Sequence, residues 1–322
     1  MKKCLVVNYK YYEKNDINFL TNCKEFKVTL KNFNSYEEFI TYLTKNRSYE
    51  ILFTTLGFEI TNKILNKYLK KCKIIVTPTT GINHIKINTQ INKLRIVSLR
   101  DCKREIEQIN STAEHAFLLI LLSLKKTHET IIDVKKNNWN RNLFFSNDLK
   151  KKTVGIIGMG RIGKKIKKYL KAFETKIITC DRKDNKKNYT STLNNLLKNS
   201  DIITIHINSE NNKDFIDLNK LKKMKKNSIL INTSRGEIIN EKDLLKALKK
   251  KYIKFAALDV LKNDSSFKKK IKDNEVINYS KKSKNLIITP HVGGASLDGK
   301  KIASKAIINR LVHVVKNEKQ YE

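Results

Sequence analysis

The chain has 322 residues, 40% of them hydrophobic and including 13 Phe and 12 Tyr; that is enough for one large or two ordinary domains with a real core, and it excludes a disordered polypeptide. Lys and Arg outnumber Asp and Glu by 67 to 31, a formal charge of +36, but they are spread along the whole length among Asn and Ile, so nucleic acid and membrane are not the expected partners, although anionic small molecules are attracted. Five cysteines without a CxxC pair argue against a disulfide framework or zinc site, and the longest apolar run, residues 116–122, is far short of the ~20 residues a bilayer demands; a cytoplasmic protein is expected, without a metal.

Along the first third, the apolar runs "CLVVNY", "FKVTL", "EILFTT" and "KIIVTP" read as strands. They alternate with the amphipathic stretches "SYEEFITYLTK" and "TNKILNKYLKK", the pattern of an α/β fold with parallel sheets. Next comes "NSTAEHAFLLILLSLKKTHETIIDVKK", which predicts one long helix. Ser111 or Thr112 can cap it, and Glu114 sits in its first turn, where a carboxylate suits the helix dipole. About 25 residues at ~1.5 Å each give roughly 37 Å, long enough to pass from one domain to a second.

The alternation then becomes more regular, with strands predicted at 153–158, 176–181, 201–206, 228–233, 254–260 and 286–289. Helices separate the first five, a Lys-rich excursion precedes the sixth, and "KIASKAIINRLVHVVKN" reads as a closing helix. The chain holds only ten Gly and two Pro. In so sparing a composition, the places where glycine persists point to backbone that tolerates no side chain.

Chemistry gathers at the C-terminal ends of these strands, the edge at which open parallel sheets bind ligands. "VGIIGMGRIGKK" sets Gly158, Gly160 and Gly163 between a buried strand and a helix. The first glycine permits a tight turn, the second a close approach of backbone to a pyrophosphate, the third close helix–strand packing. Asp181, eighteen residues beyond Gly163, ends the next strand. Its carboxylate can accept from ribose hydroxyls and repels a 2′-phosphate, which favours NAD over NADP, although Arg182 stands beside it. "INTSRGEII" places Arg235 past the fourth strand, where a guanidinium fork suits a carboxylate. "ALDVLKNDSS" carries Asp259 and Asp264 past the fifth, and "ITPHVGGAS" carries His291 past the sixth.

With "TPTTGINHI", "STAEHAFLLILLSL" and Trp139, these motifs in this order resemble the D-isomer-specific 2-hydroxyacid dehydrogenase family, which includes phosphoglycerate dehydrogenase, D-lactate dehydrogenase and hydroxypyruvate reductase. The resemblance runs from about residue 77 to the C-terminus and is looser before that. It implies two Rossmann-like domains with parallel sheets, the cofactor domain inserted into the substrate domain: 1–112 and 293–322 for the substrate, 113–292 for NAD. It implies hydride transfer between nicotinamide and a small 2-hydroxy or 2-keto acid, and a homodimer. A non-catalytic, NAD-sensing corepressor on the same fold is the alternative.

Position by position, the resemblance makes Arg235 the ligand of the substrate carboxylate, His291 the acid–base, and Asp264 the carboxylate that orients the histidine. Asp259 would hold the nicotinamide carboxamide, Arg161 and Ile162 would line the pyrophosphate, and Thr233 and Ser234 the nicotinamide ribose. Gly293 and Gly294 would let the backbone pass close to the cofactor, and the N–H groups of Thr80, Gly81 and Ile82 would meet the substrate carboxylate. Two departures stand out. Asp264 replaces the usual glutamate, which predicts backbone adjustment, a bridging water or a weakened pair with His291; Asn208 stands where a proline usually follows His206. Between the last strand of the first domain and the long helix, Arg100, Lys103 and Arg104 either contact a second anionic group on the substrate or form a solvated basic loop. His115 reads as a packing residue and His84 as one near the substrate loop.

Overall fold

The structure, a computed structural model, describes residues 1–88, 94–181, 191–264, 271 and 273–318. It divides into two compact units, one of Met1–Ile109 with Ser296–Glu322 and the other of Asn110–Ala295.

The first unit begins β1 (Lys2–Val7), α1 (Lys14–Asn22), β2 (Phe26–Lys31), α2 (Tyr36–Lys45), β3 (Ile51–Phe53), β4 (Ile60–Thr61) and α3 (Asn62–Tyr68). It continues with β5 (Ile74–Thr77), β6 (Ile85–Lys86), β7 (Arg95–Ser98) and α4 (Lys103–Glu107). Five strands pair in parallel in the order β2-β1-β3-β5-β7, and β4 and β6 form a separate parallel pair. The strands are apolar on both faces because both are covered. Cys4, Val6, Ile51, Phe53, Ile74 and Val76 point into one core, and Leu5, Val7, Leu52 and Ile75 into the other.

The second unit opens with α5 (Ser111–Lys125) and α6 (Thr127–Val134), followed by β8 (Thr153–Ile157), α7 (Arg161–Ala172), β9 (Lys176–Cys180), α8 (Leu193–Asn199) and β10 (Ile202–Ile205). Then come α9 (Leu218–Lys223), β11 (Ile229–Asn232), α10 (Glu241–Lys249), β12 (Phe255–Leu258), α11 (Glu275–Lys282) and β13 (Leu286–Ile288). The single long helix expected from 110 onward is two helices. Lys126 takes a left-handed φ of 54° and ends α5 after 15 residues, about 22 Å. The cap also differs from expectation: Asn110, not Ser111 or Thr112, is the N-cap, and no side chain bonds to the first turn. Glu114 does lie in that turn.

Six parallel strands run β13-β12-β11-β10-β8-β9. The order reverses at β8, the topological switch point at which such sheets leave a crevice beyond their C-terminal ends. Alternation again divides the sheet between two cores. Val154, Ile156, Ile202, Ile231 and Ala257 join α5 and α7, while Ile203, Ile205, Leu230 and Leu258 join α8 and α10. Each fully buried Leu or Ile is worth about 1.5–3 kcal/mol. Finally α12 (Leu297–Glu318) returns to the first unit, where Ile307, Leu311 and Val315 are buried against its sheet.

Candidate active site

Register sets the site. Ile157, Ile205, Asn232, Leu258 and Ile288 are successive partners at the ends of β8, β10, β11, β12 and β13. The residues that follow them, Gly158, His206, Thr233, Asp259 and Thr289, therefore share one edge of the sheet.

At β8 the chain turns sharply. Gly158 has φ of 96°, and a Cβ on it would lie 2.6 Å from the His206 carbonyl oxygen, so only glycine fits. A Cβ on Gly163 would collide with the Gly158 carbonyl, which is how α7 packs so closely on its strand. A Cβ on Gly160 would meet nothing within 4 Å. Gly160 is also the N-cap of α7 and leaves that end without a side-chain cap. Arg161 and Ile162 open the helix, so its positively polarised N-terminus lies at the switch point, a fit for a pyrophosphate. Asp181 Oδ2 accepts from the Met159 N–H at 3.1 Å, tying the acid at the end of β9 to the glycine turn. Arg182 lies outside the described residues.

Beyond β10, burial pushes the His206 imidazole down to about 3, and its Nε2 is 2.9 Å from Thr204 Oγ1. Where the usual proline is missing, Asn212 Nδ2 donates to both the carbonyl and Oδ1 of Asn208, so side chains hold this turn.

Past β11, Asn232 organises the loop. Its Oδ1 accepts from the N–H and hydroxyl of Ser234, and its Nδ2 donates to the Arg235 carbonyl. Arg235 Nη1 donates to Ser234 O at 2.5 Å. Thr233 Oγ1 is buried without a hydrogen-bond partner among the described residues, as a hydroxyl awaiting a ligand would be. A Cβ on Gly236 would run into the backbone of Leu261 and Lys262, so this loop presses directly against the turn after β12.

That turn carries Asp264. Its Oδ2 stands 2.8 Å from His291 Nδ1 and also accepts from the Leu261 N–H at 3.4 Å. The pair is direct, with no water needed. On either side of the pair the backbone is left-handed, with φ of 54° at His291 and 58° at Asn263. With Nδ1–H donated to Asp264, Nε2 is the nitrogen left to exchange a proton, and the ring is 31% exposed.

Asp259, 1% exposed, anchors the same segment. Its Oδ1 accepts from Thr289 Oγ1 at 2.5 Å and the Val292 N–H at 2.9 Å, its Oδ2 from the Gly293 N–H at 2.8 Å. His115 Nε2 is 3.2 Å from Oδ1 and 3.0 Å from Thr289 Oγ1. Thr289 has one hydroxyl proton and gives it to Asp259, so His115 Nε2 is the donor in both contacts. Burial alone would raise the Asp259 carboxyl, but the bonds from His115, Thr289 and the two N–H groups hold it below the ordinary carboxylate range. A Cβ on Gly293 would lie 2.8 Å from Asp259 Oδ2, and one on Gly294 only 3.9 Å from Thr112 Oγ1.

Residues 117–293 match the sequence profile described as the NAD binding domain of the D-isomer specific 2-hydroxyacid dehydrogenases, more than half of the chain. The chain belongs to this family. It is 30% identical over 284 residues to the D-3-phosphoglycerate dehydrogenase of Methanocaldococcus jannaschii, covering 86% of this chain and 52% of that one. To the glyoxylate reductase of Thermococcus litoralis it is 29% identical over 291 residues, 86% of this chain and 83% of the relative. The chain thus spans about half the length of the phosphoglycerate dehydrogenases it matches. The crystal structure of a D-lactate dehydrogenase from Aquifex aeolicus, complexed with NAD and lactic acid, superposes with a TM-score of 0.81 at 22% identity, covering 98% of this chain and 96% of that one. That likeness establishes the two-domain fold.

Three residues of this family member gain their roles from the structure. Asn232, Thr289 and His115 hold the loops that carry Arg235 and His291. Asn232 had a signal, a polar residue closing the apolar run "SILIN". Thr289 had none, and His115, expected as a packing residue, had none for its partner, because Asp259 is 30 and 144 residues away from them.

Proposed function

We propose that the chain is an NAD-dependent oxidoreductase interconverting a D-2-hydroxy acid and the corresponding 2-keto acid. The observation that carries this reading is the 2.8 Å pair of His291 and Asp264, in the unit that also holds Arg235 and the glycine turn. When bound, NAD supplies or accepts the hydride. In reduction, negative charge builds on the carbonyl oxygen; His291 Nε2 donates the proton that neutralises it, and the Arg235 guanidinium offsets charge on the oxygen and the carboxylate. Asp264 holds the ring in the right tautomer. Thr80, Gly81 and Ile82 donate their N–H groups to the substrate carboxylate.

For the cofactor, Gly160, Arg161 and Ile162 receive the pyrophosphate on the turn that Gly158 and Gly163 make possible, and Asp181 takes the adenosine ribose hydroxyls. Thr233 and Ser234 take the nicotinamide ribose; Gly294, uncrowded at its Cβ position, lets the backbone pass close to it, while the space beside Gly293 is taken by Asp259. Asp259 has acceptor capacity left on Oδ2, which bears one bond from the chain, and takes the carboxamide N–H there. A purely NAD-sensing protein gives no reason for a His–carboxylate pair beside an Arg loop. We further propose a homodimer. Trp139, Leu143 and Phe145 are 89%, 63% and 79% exposed, and Ile131, Ile132 and Val134 lie close by in the sequence.

The test is a panel of 2-keto acids (glyoxylate, pyruvate, hydroxypyruvate and its phosphate ester) with NADH, followed by loss of the reduced nicotinamide absorbance. Turnover of at least one, abolished by His291→Asn, is expected. Tight NADH binding with no turnover of any acid would remove the oxidoreductase reading in favour of a sensor.

A further inference from the structure

Three carbonyls of the loop after β5 are held in succession. Leu99 N–H donates to Thr79 O at 3.1 Å, Arg100 Nε to Thr80 O at 2.7 Å, and Thr79 Oγ1 to Gly81 O at 2.7 Å. These are three consecutive peptide units. In a planar trans peptide the C=O and the following N–H point in opposite directions. Clamping the three carbonyls therefore turns the N–H groups of Thr80, Gly81 and Ile82 away from the clamp, and among the described residues no acceptor takes them. Successive N–H groups kept open in this way suit an anion.

Behind the loop the proton order can be deduced. Thr79 spends its only hydroxyl proton on Gly81 O, so Thr77 Oγ1, 3.0 Å away, must donate to Thr79. Thr77 then has none left for His84 Nε2 at 3.2 Å, so His84 donates from Nε2. Thr77 and His84 are buried, at 0% and 1% exposure. Arg100 is itself set by a capped turn: Ser98 Oγ accepts from the Arg100 N–H at 3.3 Å, and Asp101 Oδ2 from the Ser98 N–H at 2.9 Å.

We infer that Arg100 and the buried relay His84–Thr77–Thr79 are positioning residues that set the affinity for the substrate carboxylate. They do so by holding the Thr80–Ile82 peptides with their N–H groups opposite the clamped carbonyls. The inference rests on the oxidoreductase reading for the identity of the anion. It also gives the basic stretch at residues 100–104 a task on the protein's own backbone, at Arg100, besides the two readings its sequence leaves open.

The variants are Arg100→Met and Thr79→Val, with Arg100→Lys and Thr79→Ser as conservative partners. The readouts are KM and kcat for a 2-keto acid, NADH affinity by fluorescence, and binding of oxalate, an unreducible carboxylate probe, to the NADH complex by calorimetry. Loss of one clamp is expected to weaken oxalate binding and raise KM by about tenfold. The change in kcat should be smaller and NADH affinity unaltered, and Lys or Ser should recover most of the loss. Thr79→Val changes no charge, so an effect of Arg100→Met without one from Thr79→Val would reduce Arg100 to bulk electrostatics and overturn the relay. NADH affinity falling in step with KM would overturn the inference too. Unchanged KM in both variants of an active enzyme refutes the clamp alone. A wild type without turnover refutes the oxidoreductase reading, and oxalate binding then decides the clamp: loss in the variants upholds it, and no loss or no binding refutes it.

Discussion

Asp264 is one methylene shorter than the glutamate usual in the family, about 1.5 Å of reach, yet its Oδ2 stands 2.8 Å from His291 Nδ1. His291 and Asn263 both hold a left-handed φ beside this contact, a conformation that Asn and His adopt more readily than most residues. Asp264→Asn keeps the shape and loses the charge; kcat is expected to fall on the order of 10²-fold or more while NADH still binds. Asp264→Glu should bring no gain, because the contact is already direct. A wild-type kcat in the Asn variant would show that the carboxylate has no part in the reaction. His206 makes a different prediction. Burial lowers its imidazole to about 3, while in the unfolded chain it titrates near ~6.5. Below that value the unfolded state binds a proton that the folded state refuses, so His206 contributes no penalty above about pH 6.5 and a growing one as pH falls toward 3. Thermal melting should therefore drop between about pH 7 and pH 5, with a shallower slope in His206→Gln. Identical slopes would mean that other groups carry the effect.

At the scale of elements, the site consists of loops leaving parallel strands, and their spacing is enforced by backbone contact. Gly236 is the clearest case, pressed on Leu261 and Lys262, three and two residues before Asp264. Gly236→Ala is expected to displace that turn, costing about 1–3 kcal/mol of stability and lowering kcat more than NADH affinity. Calorimetry and steady-state kinetics on one preparation would check both, and an unperturbed kcat would mean the turn adjusts freely. The break between α5 and α6 teaches the opposite lesson about reading elements. The apolar periodicity runs through it, and the residue in the left-handed conformation is Lys126, where glycine or asparagine would have announced a helix end.

For the whole molecule, each unit buries two cores on the two faces of its own sheet, and the C-terminal helix closes the first unit from the far end of the chain. Among the described residues no helix is long and apolar enough to cross a membrane. Among the described residues, six large exposed apolar side chains cluster between 131 and 145, including the single Trp. Replacing Leu143 and Phe145 by Glu should convert a dimer to a monomer in sedimentation velocity with secondary structure retained. A monomeric wild type would dispose of the proposed homodimer.

By itself the sequence determined the alternation of strands and helices, the glycine turn after β8, and the placing of Arg235, Asp259, Asp264 and His291 at strand ends. These are local features: periodicity, and glycine kept where a Cβ cannot go. Tertiary structure decided what register and long-range packing control. It brought Asp264 within direct reach of His291, made Asp259 a buried anchor for His115, Thr289 and the 292–293 backbone, and set Arg100 behind the Thr80 carbonyl. The order of motifs already paired Asp264 with His291, though not the directness of their contact; no pattern along the chain specifies the other partners, because each depends on which strands lie side by side and how far each loop turns back.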